Sequence, residues 1–200
     1  MRADEFLRQL EADPEWVARR DARERDRLER EERSRREQST LLAELAATGI
    51  SVADVWDLVN TAQPYPQALP VLLAHLSKPY SAGVLDGIAR ALAVKDARLI
   101  AWETLLTALR KGSLPKRAAD GVMVAISAMA RPADLETLIH VISNRAFGRQ
   151  RAFLVRNLMR SKNPKAREAL HNLRDDPDLK TEIDARLKRS KIAGSREAKP

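Results

Sequence analysis

Three histidines, a repeated Asp-Gly pair and several arginines are the residues of this chain whose types and spacing could do chemistry. A metal site needs three or four ligands converging on one point, each oriented by a further hydrogen bond. His75, His140 and His171 stand 65 and 31 residues apart. Each falls late in the first helix of an expected helical pair, so stacking the pairs spreads them over successive layers. They read as scaffold or surface residues. Asp86 and Asp120 recur 34 residues apart, each followed by glycine. A catalytic carboxylate is needed once rather than once per repeat, so these too read as structural. Lys111-Gly112-Ser113 matches the end of a phosphate-cradling loop but lacks the upstream glycine and the preceding strand. No His-Glu-x-x-His, nucleophile elbow or calcium loop occurs. The absence of cysteine removes disulfides and thiolate metal sites. The expectation is a chain with no catalytic residues, no metal, no cofactor and no small-molecule substrate.

What remains can bind. Arg149, Arg151, Arg156 and Arg160 fall on one expected helix; Arg156 and Arg160 share a face, and Arg149 stands seven residues before Arg156. Arg90 holds the comparable position two helical pairs earlier in the series. Guanidinium groups bind carboxylates or phosphates through paired hydrogen bonds. Tyr65 and Tyr80 sit beside Pro64, Pro66 and Pro79. Aromatic residues on rigid loops make good contact residues. These seven residues form the expected partner-binding set. Trp56 shares a helix side with Val52 and Val59, and Trp102 opens a later helix; both read as core. The net charge of +8 is uneven. Residues 1–40 hold 11 basic and 12 acidic side chains, residues 41–144 hold nine of each, and residues 145–200 hold 16 against seven. The basic end can attract an acidic protein or nucleic acid.

These side chains must be positioned by helices. Ala68–Leu76 is echoed by Ala101–Leu109, by Leu135–Ile142 and more faintly by Ala166–Leu173, at spacings of 33, 34 and 31 residues. Between them Asp86–Leu92 returns 34 residues later as Asp120–Ile126. Such a period marks stacked helix pairs. Second helices are expected over 82–93, 116–129, 149–159 and 177–189, with a tail from Ser190 to Pro200. Ahead of the repeats, a short helix is expected over Asp4–Leu10. A long one runs from Pro14 to about Ala47, capped by Asp13 and ended by Gly49. Its middle, Arg19–Gln38, has only Ala22 and Leu28 as apolar residues. No core can hold that stretch, so acid-first pairs four apart must support it: Asp21/Arg25, Asp26/Arg30, Glu29/Arg33, Glu31/Arg35 and Glu32/Arg36. Ser51 is expected to cap a helix carrying Val55 and Trp56.

The 34-residue helix-pair period, Pro70 early in a first helix and second helices of the type Val84–Leu92 resemble the HEAT-repeat family in its short bacterial form. Asp96-Ala97-Arg98 and Pro132-Ala133-Asp134 punctuate the steps between repeats. Tetratricopeptide repeats share the period, but their Trp–Leu-Gly–Tyr–Ala spacing is absent. The resemblance covers about residues 65–189. It implies an all-α, right-handed α-solenoid of about four stacked pairs whose second helices line a concave face. With it goes a division into a charged arm (1–48), the solenoid (49–189) and a basic tail (190–200). It also implies protein–protein scaffolding. Some HEAT-like proteins bind nucleic acid, including a DNA glycosylase group, and others are bilin lyases or immunity proteins. An enzyme of these kinds would need a pocket, for which Trp56, Asp57 and Trp102 are the raw material.

No stretch approaches the roughly 20 apolar residues that span a bilayer. Met1–Phe6 lacks the layout of a signal peptide. The expectation is therefore a cytoplasmic, non-enzymatic scaffold or adaptor that grips a protein, an acidic one by charge, with an immunity-type role included. Nucleic acid held by the same arginines with Lys162, Lys165 and Arg167 is the alternative; a membrane partner is not expected.

Overall fold

The computed structural model describes Glu5, residues 12–112 and residues 114–197. The expected helix at Asp4–Leu10 and the last residues of the tail lie outside these. The described residues form eleven α-helices and no strand. None of the helices is long and apolar enough to cross a membrane. The chain divides into two compact units, Met1–Asp54 and Val55–Pro200.

In the first unit, α1 (Pro14–Glu37) opens as expected. The Asp13 carboxylate accepts from the Glu15 and Trp16 N–H groups, and Pro14 occupies the first turn. No residue of α1 is buried. The single helix expected as far as Ala47 is instead two, because α2 (Ser39–Ala47) begins after a break at Gln38. Gln38 is fully buried, and its side-chain amide donates to Ser34 Oγ and Asp54 Oδ2, each at 2.8 Å. The helix expected from Ser51 begins only at Val55. Gly49 closes α2 at φ +87°, a left-handed conformation that side chains other than glycine resist. Of the five expected ion pairs, Glu32–Arg36 forms. Arg27 instead bridges Glu24 and Glu31, at 2.5 and 2.8 Å.

The second unit alternates. Its helices are α3 (Val55–Asn60), α4 (Leu69–His75), α5 (Ala82–Ala91), α6 (Arg98–Lys111), α7 (Lys116–Met129), α8 (Leu135–Ser143), α9 (Ala152–Arg160), α10 (Pro164–Asn172) and α11 (Lys180–Glu197). Helices α3, α5, α7, α9 and α11 pack each on the next in that series, while α4, α6 and α8 pack on the helix that follows them. Short 3-10 turns at Pro66–Ala68, Lys95–Ala97 and Pro132–Asp134 lead into α4, α6 and α8. Helix α11 runs on to Glu197, past the expected tail start at Ser190. The interval holds one glycine and no proline, so nothing stops the hydrogen-bond ladder.

The Asp-Gly repeat explains how the series packs. A Cβ at Gly121 would lie 2.7 Å from the Asp86 carbonyl oxygen and 2.9 Å from Ala89 Cβ. One at Gly87 would lie 2.6 Å from Val55 Cγ1. Each glycine thus lets the preceding helix of the series approach, α5 against α7 and α3 against α5. Asp86, 4% exposed, accepts from Arg90 Nε at 2.8 Å and from Arg117 Nε at 3.3 Å, tying α5 to α7. The layers are closed by leucine, isoleucine, valine, alanine and methionine: Leu72, Ile88, Leu105, Met123, Ile126 and Ile142 are fully buried. Trp102 is buried beneath Arg98, whose guanidinium carbon sits 4.3 Å from the ring centroid. Arg98 also donates to the Met129 carbonyl at 3.0 Å and to Asp134 at 2.8 Å.

Candidate binding face

Helix α9 is amphipathic at the helical period. Leu154, Val155 and Leu158 are buried, while Phe153, Arg156 and Arg160 face out. Phe153 keeps 39% of its surface exposed, which is unusual for so large an apolar side chain in this molecule. These three residues line a groove between α7, α9 and α11, with Ser127, Asn157 and Arg186. Ser127 Oγ donates to Asn157 Oδ1 at 2.6 Å, and Asn157 Nδ2 donates back to the Ser127 carbonyl at 2.8 Å. That reciprocal pair fixes the groove floor. Arg186 is paired with Glu182, while Arg156 and Arg160 make no ion pair with any described residue. The groove therefore joins an exposed aromatic ring to two cations that make no ion pair with any described residue.

Arg90 lines a second groove, which shares Val124 with the first. The face thus continues along α5, α7 and α9, although Arg90 is already held by Asp86. Arg149 is exposed but lies in the 3-10 segment Arg145–Arg151 and does not line the α9 groove. The helix expected from Arg149 begins at Ala152 because Gly148 takes φ +53° and ψ −142°, kinking the chain there.

Arg151 departs most from expectation. It is fully buried and cannot meet a partner. Its Nη1 and Nη2 grip Asp176 at 3.0 Å each, and Nη2 reaches Asp178 at 3.1 Å. Nε donates to the Gly148 carbonyl at 2.8 Å and Nη1 to the Ile142 carbonyl at 3.1 Å. All five guanidinium hydrogens are thereby used. The hydrogen bonds from Arg151 hold the Asp176 carboxyl below its usual range, against the opposing effect of burial.

Tyr65 is likewise internal. It is 8% exposed, its hydroxyl donates to the Ala91 carbonyl at 2.9 Å, and burial pushes its phenol pKa up. Tyr80 is half-buried and stacks on His75, with its hydroxyl 2.7 Å from Nδ1. The Lys78 ammonium approaches His75 Nε2 at 2.8 Å and can only donate. His75 therefore carries its hydrogen on Nδ1 and donates to Tyr80. Both tyrosines brace the loops on which they were expected to be displayed.

His75 is buried whereas His140 and His171 are exposed, and no group of described residues could hold a metal ion. Trp56 is half-buried against Gly87 of α5, whereas Trp102 packs under Arg98 of α6. Lys165 is paired with Glu136 at 2.5 Å, which raises its pKa and occupies its charge. Phe153 and Arg186 were absent from the expected set. The spacing of Phe153, Arg156 and Arg160, three and four apart, carries the signal for the ring. No family model, no curated protein and no solved structure matches this chain.

Proposed function

We propose that the chain is a non-enzymatic protein-binding module of the HEAT-like solenoid type, using the face of its second helices to hold an acidic partner. The observation that carries this reading is Phe153, exposed in one groove with Arg156 and Arg160, which make no ion pair with any described residue. Binding hot spots favour an aromatic or arginine side chain in a partly desolvated setting, and this groove offers both. The packing of α3, α5, α7, α9 and α11 in one series supports a solenoid, since each helix meets its neighbour two elements away. The expected partner surface presents an apolar side chain flanked by carboxylates.

Affinity capture from cell extract of the source organism tests it, comparing the native chain with the double variant Arg156→Glu/Arg160→Glu. The variant should retain its circular dichroism and lose the acidic protein captured by the native chain. Equal capture by both would remove this face from the reading. If the material that the native chain captures and the variant loses is nucleic acid that dissociates steeply with salt, the acidic-protein reading fails.

A further inference from the structure

Helix α1 carries a separate basic surface. On a helix of 3.6 residues per turn, Trp16, Arg19, Arg20, Arg23, Arg27 and Arg30 fall within an arc of about 100°. No acidic residue between Pro14 and Ser34 falls inside that arc. The six side chains line one shallow continuous surface, with Asp21 and Glu24 at its edge. Arg20 is stacked 5.4 Å from the centroid of Trp16 and pairs with Asp21; Arg27 pairs with Glu24 and Glu31. Arg19, Arg23 and Arg30 make no ion pair with any described residue. The pairs that exist are exposed, and such pairs exchange readily for another anion.

The row from Arg19 to Arg30 is about 16 Å long at 1.5 Å per residue. One stacked nucleic-acid strand carries a charge about every 3.4 Å, so about five phosphates span the same length as five arginines. An aromatic side chain beside a basic track is what a base needs for stacking, and Trp16 stands at the end of this one. A membrane surface would require a broad apolar face, which α1 lacks. We propose that this face of α1 binds a single nucleic-acid strand, with phosphates along the arginine row and a base on Trp16. The inference does not rest on the α9 groove.

Fluorescence anisotropy with the full chain and a labelled strand of about 20 nucleotides, between about 50 and 200 mM salt, tests it. Five contacts predict a log–log salt slope of about −3.5, from about 0.7 per phosphate on a single strand. Arg19→Gln/Arg23→Gln/Arg30→Gln should shrink the slope by about 2. Arg25→Gln/Arg33→Gln/Arg36→Gln removes the same charge from positions outside the arc and should leave it unchanged. Trp16→Ala should weaken binding about tenfold at constant slope. If the first triple variant loses helicity, Arg23→Gln alone serves, with an expected change of about 0.7. Absence of binding at the lowest salt, or equal effects of the two triple variants, overturns the proposal. So does equal competition by polyglutamate or by anionic vesicles, which would assign the row to an acidic protein or a lipid surface.

Discussion

Arg27 and Arg151 each hold two carboxylates. Arg27 bonds Glu24 and Glu31 from a side chain that is 55% exposed, and all three residues belong to α1. Arg151 bonds Asp176 and Asp178 with nothing of its side chain exposed, and it joins the 3-10 segment before α9 to the turn before α11. In water an ion pair competes with solvent and salt and costs side-chain entropy, so its net value is small. In the interior the alternative to pairing is an uncompensated charge. The same hydrogen-bonding pattern is therefore replaceable in α1 and obligatory at Arg151. Glu24 and Asp176 repeat the contrast: arginine hydrogen bonds lower both carboxyl pKa values, but only that of Asp176 is buried.

The largest expected effect follows from breaking the interior triad. Arg151→Ala should cost about 3–5 kcal/mol in urea unfolding followed by tryptophan fluorescence, because buried Asp176 loses both guanidinium bonds and keeps only the exposed Arg145 at 3.6 Å and the Asp178 N–H at 3.0 Å. Arg27→Ala should leave the midpoint where it was. Equal midpoints for the two variants would abolish the distinction. Acid should report the same pair. The folded pKa of Asp176 lies below its unfolded value, so its stabilisation is complete above the ordinary carboxylate range. It is lost as pH falls through the depressed folded value. Arg151→Ala should flatten that loss between about pH 4 and the acid limit of folding. An acid slope identical to that of the native chain would show that the triad does not couple folding to protonation.

How much of this was legible depends on whether the signal was local. The helix-pair period places most helices of the second unit within a few residues, and Asp86, Gly87 and Gly121 of the Asp-Gly repeat lie in the packing between them. Its purpose, close helix approach, needs the neighbouring helix in view. The break at Gln38 was invisible because its cause is Asp54, 16 residues away. Arg151 was read as part of an arginine stripe with Arg156, yet the two separate into core and surface. The deciding carboxylate, Asp176, is 25 residues distant, and Gly148 ends the continuous helix on which the stripe was drawn. Tyr65 looked displayed because proline flanks it on both sides; its acceptor is the Ala91 carbonyl, 26 residues on. Phe153 was legible in principle, since it shares the α9 face with Arg156 and Arg160.

A neutral substitution extends the contrast from charge to packing. On an exposed helix, replacing glycine by alanine gains about 0.5–1 kcal/mol from lower chain entropy. At Gly121 the added methyl would meet the Asp86 carbonyl and Ala89. Neither is the loose end of a flexible side chain, so α5 must shift. Gly121→Ala should then destabilise by about 1–3 kcal/mol, the usual cost of overpacking, again read from urea unfolding. A stabilising outcome would mean that the two helices separate freely and that the repeated glycine is not a spacing device.

The smallest effect should come from salt, and it isolates α1. Raising sodium chloride from about 0.05 M to about 1 M shortens the screening length from more than 10 Å to about 3 Å. The exposed pairs Arg27–Glu24, Arg27–Glu31 and Arg36–Glu32 should weaken, whereas the buried Arg151 triad should not. Hydrogen exchange read residue by residue should then show faster exchange of the α1 amides around Arg27, with the α9 amides unchanged. Since α1 buries no side chain, little besides these pairs and intrinsic helix propensity resists its opening. Exchange in α1 that is indifferent to salt would show that propensity alone sustains the helix, and the pairs around Arg27 would then be ornament on a helix that forms without them.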